Sequence, residues 1–454
     1  MKTKFLYICL ICFTIAKAQG PLNSYFMDYN PYSYYLNPGK LPNFKTFVAF
    51  PALGNFNTTA YSSVAFNNAF NQGNVDLYQL LSELKPKNNF GFSQNINVLA
   101  FGFSPSEKSY FSFSTGVKTD FNFGLSKDFA GLFLLGNGHP DYLGKTADFT
   151  GTGLKSNAYA DVNLGYTRVI NDKLTIGANF KLLHGVGAAG FDLKGVGVYT
   201  DADTWENTFT SDFEIYVTDV ETSNEDDYGI PGNFNYSGFK FGKNLGFGLD
   251  LGASYKLTDK IELSASVVDF GSIKYKNAIR YYNDGSSFSF EGVDFNEISN
   301  DENSNFGDAL MDTLSSIFGL KKDSNVSYTS YLPTRFIIGG KYQLNKFFTV
   351  DALYSGRFIH NTMQSSLVIG SGVKVGKVLS ARLSYGIVNN SYFNIGSGIT
   401  LNLGAFQVFA VADNFIGFSQ VDYSRFLNVS AGMNFVFGRG RTYEPKKSED
   451  KPAE

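Results

Sequence analysis

The sequence predicts an all-β protein, a transmembrane antiparallel β-barrel of about 14 strands with long outer loops. Three observations lead to this prediction. The composition favours strands and turns, with 46 Phe, 28 Tyr and 47 Gly among 454 residues. Apolar and polar residues alternate over stretches of roughly ten residues, longer than the usual strand of a soluble protein. Short turns also alternate with long connections along the chain.

Residues 1–18 are predicted to be a secretory signal peptide. Basic residues precede an apolar run over 5–16, and the small-x-small pattern "AKA" at 16–18 suits a signal peptidase. Cys9 and Cys12 both lie in this run, and the chain has 2 cysteines in total. A lipoprotein anchor is the alternative, but no small-residue lipobox precedes either cysteine. The mature chain is therefore expected to have no disulfide, thiolate metal site or cysteine nucleophile.

The segment "KLTIGANFKLL" shows the alternation on which the barrel prediction depends. Leu174, Ile176 and Phe180 fall on one face of the strand, whereas Thr175 and Lys181 fall on the other. In a membrane barrel the apolar face meets lipid and the polar face lines the lumen. The pattern predicts strands near 45–64, 89–103, 109–124, 156–170, 173–187, 244–257, 260–275, 333–344, 347–359, 364–375, 378–388, 392–403, 405–418 and 425–437.

The predicted connections alternate between short and long. Every second one is a tight turn, and the long connections all fall on the other side, at 65–88, 125–155, 188–243 and 276–332. An even number of strands then places both chain ends on the tight-turn side, which is the periplasm. This parity depends on the first strand, 45–64, whose alternation is weak.

Charged residues on the polar faces are expected to line the lumen. They are Asp250, Lys256, Glu262, Arg335, Lys341, Asp351 and Arg382. Opposite charges on neighbouring strands would either line a polar passage or lock the barrel through internal salt bridges. The sequence leaves both interpretations open.

Two segments in the predicted outer loops have helical periodicity. Asn74 can cap the segment 75–85, in which Leu77, Leu81 and Leu84 share a face. The segment 307–322 repeats this pattern. Such a helix would form a gate or lid at the barrel mouth, or it would cover the apolar side of its own loop, which is the usual role of an amphipathic helix.

The last predicted strand ends in "SAGMNFVF", residues 430–437. This stretch resembles the C-terminal signal that the outer-membrane barrel insertion machinery recognises, with a polar residue, a glycine and two aromatic residues at fixed spacing. Ser430, Gly432, Phe435 and Phe437 occupy those positions. The two aromatic residues would also suit an interfacial girdle that faces lipid.

The mature chain resembles the FadL and PorV class of outer-membrane barrels, particularly relatives in Bacteroidota. The resemblance is carried by "YNPYSYYLNPGKLPNFKTFVAFPALG", by the number of strands and by "VFAVADNFIGF" late in the chain. It implies a hatch inside the barrel with an Asn-Pro-Ala motif. Asn37, Pro38 and Gly39 match two of its three positions, and an ordinary Asn-Pro-Gly turn is the alternative. The expected organisation is a hatch at 19–44, a barrel at 45–437 and a disordered periplasmic tail at 438–454.

The chain lacks the residue constellations of an enzyme. His139, His184 and His360 have no metal-ligand spacing, and no catalytic or phosphate-binding motif is present. We therefore expect no catalytic activity, no metal site and no cofactor. Acidic clusters at 201–203 and 225–227 would bind Ca2+ or form solvated loop tips. The net charge of -3, without a basic stripe, indicates no nucleic-acid partner.

The resemblance implies two functions. One is FadL-like passage of hydrophobic or small amphipathic molecules, which predicts an apolar pocket between the hatch and the lumen wall. The other is a PorV-like interaction protein serving protein secretion or envelope assembly, with contacts from the loops 188–243 and 276–332. Both place the chain in the outer membrane of a Gram-negative bacterium, where it would meet outer-membrane lipid and the barrel insertion machinery. The partner would be a hydrophobic ligand or a secretion-system protein.

Overall fold

The computed structural model describes residues 21–65, 77–225, 231–236, 242–290, 321–359, 362–388, 391–420 and 424–439. Within these ranges the chain forms a closed antiparallel barrel of 14 strands, which confirms the predicted fold class. The strands are β1 (Thr46–Ala49 and Asn55–Ser62), β2 (Lys87–Ser106), β3 (Ser109–Ser126), β4 (Gly153–Val169), β5 (Leu174–Leu193), β6 (Leu245–Lys256), β7 (Ile261–Phe290), β8 (Lys321–Tyr331 and Arg335–Gln343), β9 (Phe348–Ile359), β10 (Thr362–Val375), β11 (Leu379–Val388), β12 (Ser391–Leu403), β13 (Phe406–Ala412) and β14 (Phe426–Phe437).

The barrel closes because β14 pairs with both segments of β1. Thr46 lies opposite Phe437 in the first segment, and Phe56 lies opposite Ala431 in the second. On its other side β1 pairs with β2, where Val48 lies opposite Phe101. Closure leaves neither β1 nor β14 as a free edge, so their backbone hydrogen bonds are satisfied within the wall, as a lipid environment requires.

Every second connection is a tight turn and the long connections all lie at the opposite end, as predicted, although two connections at that opposite end, 360–361 and 389–390, are also short. At one end of the barrel, consecutive strands are joined by turns of two to four residues. Gly376 and Gly404 have φ angles of 57° and 62° in two of these turns, a left-handed conformation that favours glycine. Both ends of the barrel sequence lie there too, since the Lys45 amide donates to the Phe437 carbonyl at 3.0 Å. This end is the tight-turn end, and the opposite one is the outer end.

The outward-facing side chains of the strands are apolar. In β6, Phe247 and Leu251 are 58% and 51% exposed, whereas Asp250 between them is 0% exposed. Other strands present apolar residues in the same way, including Phe103, Leu164, Phe180, Ile338, Ile369, Leu383 and Ile399. A continuous apolar outer face is stable in lipid but not in water, so the barrel is of the membrane-spanning kind.

None of the helices in the described residues is long and apolar enough to cross a membrane.

Two strand predictions are corrected. The weakly alternating first strand is real but interrupted, because Phe50–Gly54 leave the sheet and Ala52 takes a φ angle of 58°. The thirteenth strand ends at Ala412 rather than 418. Asp413 and Asn414 instead use their side chains to accept backbone amides, which stops the ladder before a short helix at Ile416–Ser419.

The predicted long loops contain further strands at the outer end. The strand Asn207–Thr218 pairs with β5, where Ala189 lies opposite Val217, and with β7, where Ala278 lies opposite Thr218. It thus extends the wall above β6. The sequence of 207–218 has high β-propensity, and the outer halves of β5 and β7 offer it two free edges.

Two helices cover part of the outer end. The helix α1 (Leu77–Glu83) buries Leu81 against Val64 next to Leu84, which agrees with a loop covering its own apolar side. The helix α2 (Lys127–Leu135) was predicted as loop; the Ser126 hydroxyl caps it by accepting the Asp128 amide at 3.2 Å. The predicted cap Asn74 lies outside the described residues. So do residues 307–320 of the second predicted helix, while Lys321 and Lys322 belong to β8.

Candidate site in the barrel lumen

Residues 21–44 fill the lumen at the tight-turn half of the barrel. They form two 3-10 turns, Leu22–Phe26 and Pro31–Tyr35. The second turn begins where the Asn30 side chain accepts the Tyr32 amide at 2.9 Å and proline supplies the next residue with a fixed φ angle. We call residues 21–44 the hatch.

Apolar packing holds the first turn of the hatch. Leu22 and Tyr25, both 0% exposed, pack against Ile337, Leu353 and Val368 on the inner wall. Burial of such side chains contributes roughly 1.5–3 kcal/mol each. The hatch is therefore a docked part of the barrel core.

The tripeptide Asn37-Pro38-Gly39 contacts the wall directly. The Asn37 amide nitrogen donates to the Tyr25 hydroxyl at 2.9 Å and to the Ala253 carbonyl at 3.3 Å. The Pro38 carbonyl accepts the Thr167 hydroxyl at 2.7 Å. A Cβ added to Gly39 would overlap the backbone of β6. Glycine in place of alanine is thus required by a close approach between hatch and wall.

An ion-pair cluster anchors the middle of the hatch. The Asp28 carboxylate lies 3.1 Å from Lys341 and 2.9 Å from Lys374, and Lys341 also contacts Glu262 at 3.2 Å. Burial alone would raise the pKa of Asp28, but Lys341, Lys374 and Lys40 outweigh it and hold that pKa well below its ordinary value. Burial lowers the pKa of Lys40 to about 8, although Asp28 opposes this shift.

The start of the hatch is bound by the loop after β13. The Asp413 carboxylate accepts the backbone amides of Leu22 and Asn23 at 2.9 and 2.8 Å. The Asn23 side chain also accepts from Arg382, which forms an ion pair with Asp351. Two separate parts of the wall therefore fix the first hatch turn.

Above the hatch, two lysines and three aspartates from strands β3 to β7 form a network. Lys181 lies 2.6 Å from both Asp250 and Asp269. Lys118 lies 3.4 Å from Asp161 and 3.5 Å from Asp269. Across the lumen Arg357 pairs with Asp120 at 3.2 Å. The contacts of Asp269 with Lys118 and Lys181, and that of Arg357 with Asp120, join strands that are not neighbours. All of these side chains except Asp250 line an inner cavity of about 130 Å³.

The inner cavity lies between the hatch and an outer cavity of about 760 Å³. Both cavities are lined by Asp120, Arg357 and Pro333, so the ion pair stands at their boundary. The outer cavity also reaches Tyr331 and Phe358, which are 79% and 52% exposed.

The pairing of the wall strands changes at the level of the Asp120–Arg357 ion pair. Arg335 pairs with Arg357 in the ladder between β8 and β9, but the outer segment of β8, Lys321–Tyr331, pairs with β7 and not with β9 among the described residues. On the other side of the hatch, a cleft of about 470 Å³ is lined by Asp28, Lys40 and the tight turns.

The structure brings six of the seven expected lumen charges into the barrel interior. Asp250, Glu262, Lys341, Asp351 and Arg382 all take part in ion pairs, and Arg335 is buried beside Arg357. Lys256 is exposed and lines the cleft at the tight-turn end.

Sequence reasoning missed several members of the site: Asp28, Lys40, Lys118, Asp120, Asp161, Lys181, Asp269, Arg357, Lys374 and Asp413. Strand alternation places most of these on polar faces, and that signal could have found them. Asp28, Lys40 and Asp413 lie outside regular strands and give no such signal.

The expected apolar pocket is not what the described residues form beside the hatch. The inner cavity is lined mainly by amide and charged side chains, among them Asn95, Asn163, Lys118 and Asp161. Most apolar side chains of the hatch pack against the barrel wall instead of lining this cavity.

The residues of the expected insertion signal fall on two faces of β14. Ser430 is buried and donates to the Asn55 side chain at 2.8 Å, whereas Phe435 and Phe437 are 37% and 47% exposed on the outer face. Gly432 lies where an added Cβ would overlap the backbone of Gly54. The placement is compatible with an aromatic girdle, and recognition by the insertion machinery stays a prediction.

The acidic loops show no metal-binding geometry in the described part of the chain, where no group of three or more His, Cys, Asp or Glu side chains could hold an ion. The Asp201 carboxylate accepts the amides of Asp203 and Thr204 at 2.9 and 2.8 Å, which is a local turn. Residues 226 and 227 of the second acidic cluster, and His360, lie outside the described residues.

The comparison with known families identifies the chain. The model of a family of unknown function, DUF5723, matches residues 38–413. The chain belongs to this family. No curated protein sequence matches this DUF5723 member.

Solved structures similar to the DUF5723 protein include bacterial transporters. For the toluene transporter TbuX of Ralstonia pickettii, the TM-score is 0.43 at 12% identity, over 90% of this chain and 94% of the other. For a Pseudomonas aeruginosa FadL homologue, the TM-score is 0.38 at 10% identity, over 87% of this chain and 90% of the other. For the Pseudomonas putida toluene transporter TodX, the TM-score is 0.39 at 10% identity, over 89% of this chain and 93% of the other. Similarity at this level says nothing about what this chain carries.

Proposed function

We propose that this protein is an outer-membrane barrel through which small amphipathic molecules pass, and that the hatch closes the passage. The observation that carries the proposal is the arrangement of three spaces: the outer cavity, the inner cavity and the cleft at the tight-turn end. Residues of the hatch line both the inner cavity and the cleft, so displacing this one segment would join them.

The character of the linings supports small amphipathic molecules. The rim of the outer cavity is aromatic and exposed on the lipid side, at Phe270, Tyr331 and Phe358. The interior beyond it is charged, at Asp120 and Arg357. A molecule with an apolar part and a polar part would meet a favourable surface at each stage.

The apolar outer face and the expected signal peptide support an outer-membrane location in a Gram-negative bacterium. The PorV-like role in secretion or envelope assembly stays a prediction of the resemblance alone.

Uptake into proteoliposomes tests the proposal. A variant without the hatch, residues 21–44, and the wild type would be reconstituted at equal protein density, and uptake of radiolabelled benzoate, a small amphipathic anion, would be compared with protein-free liposomes. We expect uptake at least tenfold faster through the hatch-deleted barrel. Heat-dependent migration in gels verifies that both barrels are folded. Equal uptake by two folded barrels would contradict the role of the hatch as the closure.

A further inference from the structure

Arg335 and Arg357 face each other across the last rung between β8 and β9. Arg335 begins the inner segment of β8, and its ladder partner is Arg357. The two residues are 7% and 5% exposed, and both line the inner cavity. Two buried guanidinium groups on adjacent strands repel each other unless anions compensate for them.

Only one of the two arginines, Arg357, contacts a carboxylate. Arg357 pairs with Asp120 at 3.2 Å. Arg335 forms no hydrogen bond or ion pair with any described residue, and its Nε atom is buried without a partner. A guanidinium carries five N–H donors, and leaving a buried charge without partners costs several kcal/mol.

The nearby carboxylates are held by other groups. Asp120 contacts Arg357, and Asp269 contacts Lys118 and Lys181. Asp413 accepts two backbone amides from the start of the hatch. Four cationic side chains and three aspartates line the cavity, and none of the carboxylates forms an ion pair with Arg335. Arg335 therefore has N–H donors available for an anion that enters the cavity.

Two amide oxygens elsewhere in the cavity lining have no donor. The Oδ1 atoms of Asn95 and Asn163 are buried without a partner, and both residues line the same cavity. The Asn163 amide nitrogen donates to the Ser114 hydroxyl and to the Asp161 carboxylate, so only the amide oxygen remains to accept a hydrogen bond. The cavity thus carries an unsatisfied cationic donor and unsatisfied amide acceptors.

We propose that the inner cavity binds a small carboxylate that also carries a hydroxyl or ammonium donor, the class of hydroxy and amino acids. The Arg335 guanidinium, supported by Arg357, would bind the carboxylate, since its planar fork matches two carboxylate oxygens. Asn95 and Asn163 would accept the donor. A cavity of about 130 Å³ holds on the order of ten water-sized groups, which suits such a molecule and excludes a long alkyl chain.

Calorimetric titration of the detergent-solubilised full mature protein tests this proposal. The probe is sodium lactate, with lactamide, which lacks the charge, and propionate, which lacks the hydroxyl, as matched ligands. The protein variants are Arg335→Gln, Arg335→Lys and the control Arg168→Gln, an exposed arginine on the outer face. We expect one lactate per barrel, at least tenfold weaker binding by Arg335→Gln, intermediate binding by Arg335→Lys and unchanged binding by Arg168→Gln. Lactamide and propionate should both bind more weakly than lactate.

Thermal unfolding distinguishes this role from a structural one. Without ligand, Arg335→Gln should unfold at the wild-type temperature or above it, because the change removes an unpaired buried charge. A wild type that binds no lactate, or an Arg335→Gln variant that binds it equally well, would overturn the site. So would equal binding of lactamide.

This inference rests on the proposed function, because it names the class of molecule that the passage would hold, yet the two fail separately. Binding is measured without a membrane, whereas passage is measured by uptake. Lactate binding lost in Arg335→Gln would uphold the site even if hatch deletion left uptake unchanged. Faster uptake by the hatch-deleted barrel would uphold the passage even if no lactate bound.

Discussion

Neutralising Asp28 should release the hatch. The Asp28 carboxylate lies within 3.1 Å of Lys341 and 2.9 Å of Lys374, and its side chain is 22% exposed. Each contact is worth at most about 5 kcal/mol at an effective dielectric constant of about 20. In the Asp28→Asn variant, Lys341 keeps Glu262 at 3.2 Å, and Lys374, 21% exposed, can recover part of its hydration.

The net loss of docking free energy should therefore be about 3 kcal/mol, near the usual cost of breaking a buried pair. This corresponds to roughly a hundredfold larger population of the undocked hatch. The assay is the rate of trypsin cleavage after Lys40, which is 8% exposed in the docked hatch. Cleavage should accelerate about a hundredfold, since it follows the population of the open form.

The matched control is Asp259→Asn, which removes the same charge from the rim of the same cleft without a contact to the described part of the hatch. It should cleave at the wild-type rate. Cleavage of Asp28→Asn within twofold of this control would refute the ion-pair anchor and leave apolar packing as the main hold on the hatch.

Three further predictions concern the hatch and the last strand. Gly39→Ala should accelerate cleavage of the hatch at least tenfold, because its Cβ overlaps the backbone of β6; Gly340→Ala, whose Cβ would have no neighbour closer than 3.5 Å, is the control. Acidification should begin to weaken hatch docking below about pH 4, the pKa of a free aspartate, and should weaken it further as pH falls towards the lowered pKa of the docked Asp28. Uptake that does not rise between pH 5 and pH 3, after subtraction of uptake by protein-free liposomes, would contradict this. Phe437→Ala should lower the amount of assembled barrel in cells but leave refolding into detergent unchanged, and Phe347→Ala, equally exposed near a tight turn, should affect neither. An equal loss in both Phe variants would indicate lost lipid contact rather than lost recognition.

The strands were largely predictable because alternation is local. Side chains of a strand point to opposite faces with a period of two, so the sequence around Leu249 and Asp250 already separates lipid side from lumen side. The same rule cannot place the end of β13. There the alternation continues past Ala412, but the Asp413 carboxylate accepts hydrogen bonds from backbone amides of the hatch, which lie nearly 400 positions away in the sequence.

The sequence by itself determined a closed barrel with an apolar outside, a charged inside and short turns at one end. Only the tertiary structure decided which inward charges find partners. Arg335 and Arg382 both fall on the polar face of their alternating segments, yet Arg382 meets Asp351 and Asn23 while Arg335 meets no described acceptor. The reason is physical: the partner of a lumen charge comes from another strand or from the hatch, so it depends on strand register and hatch docking, and local pattern contains neither.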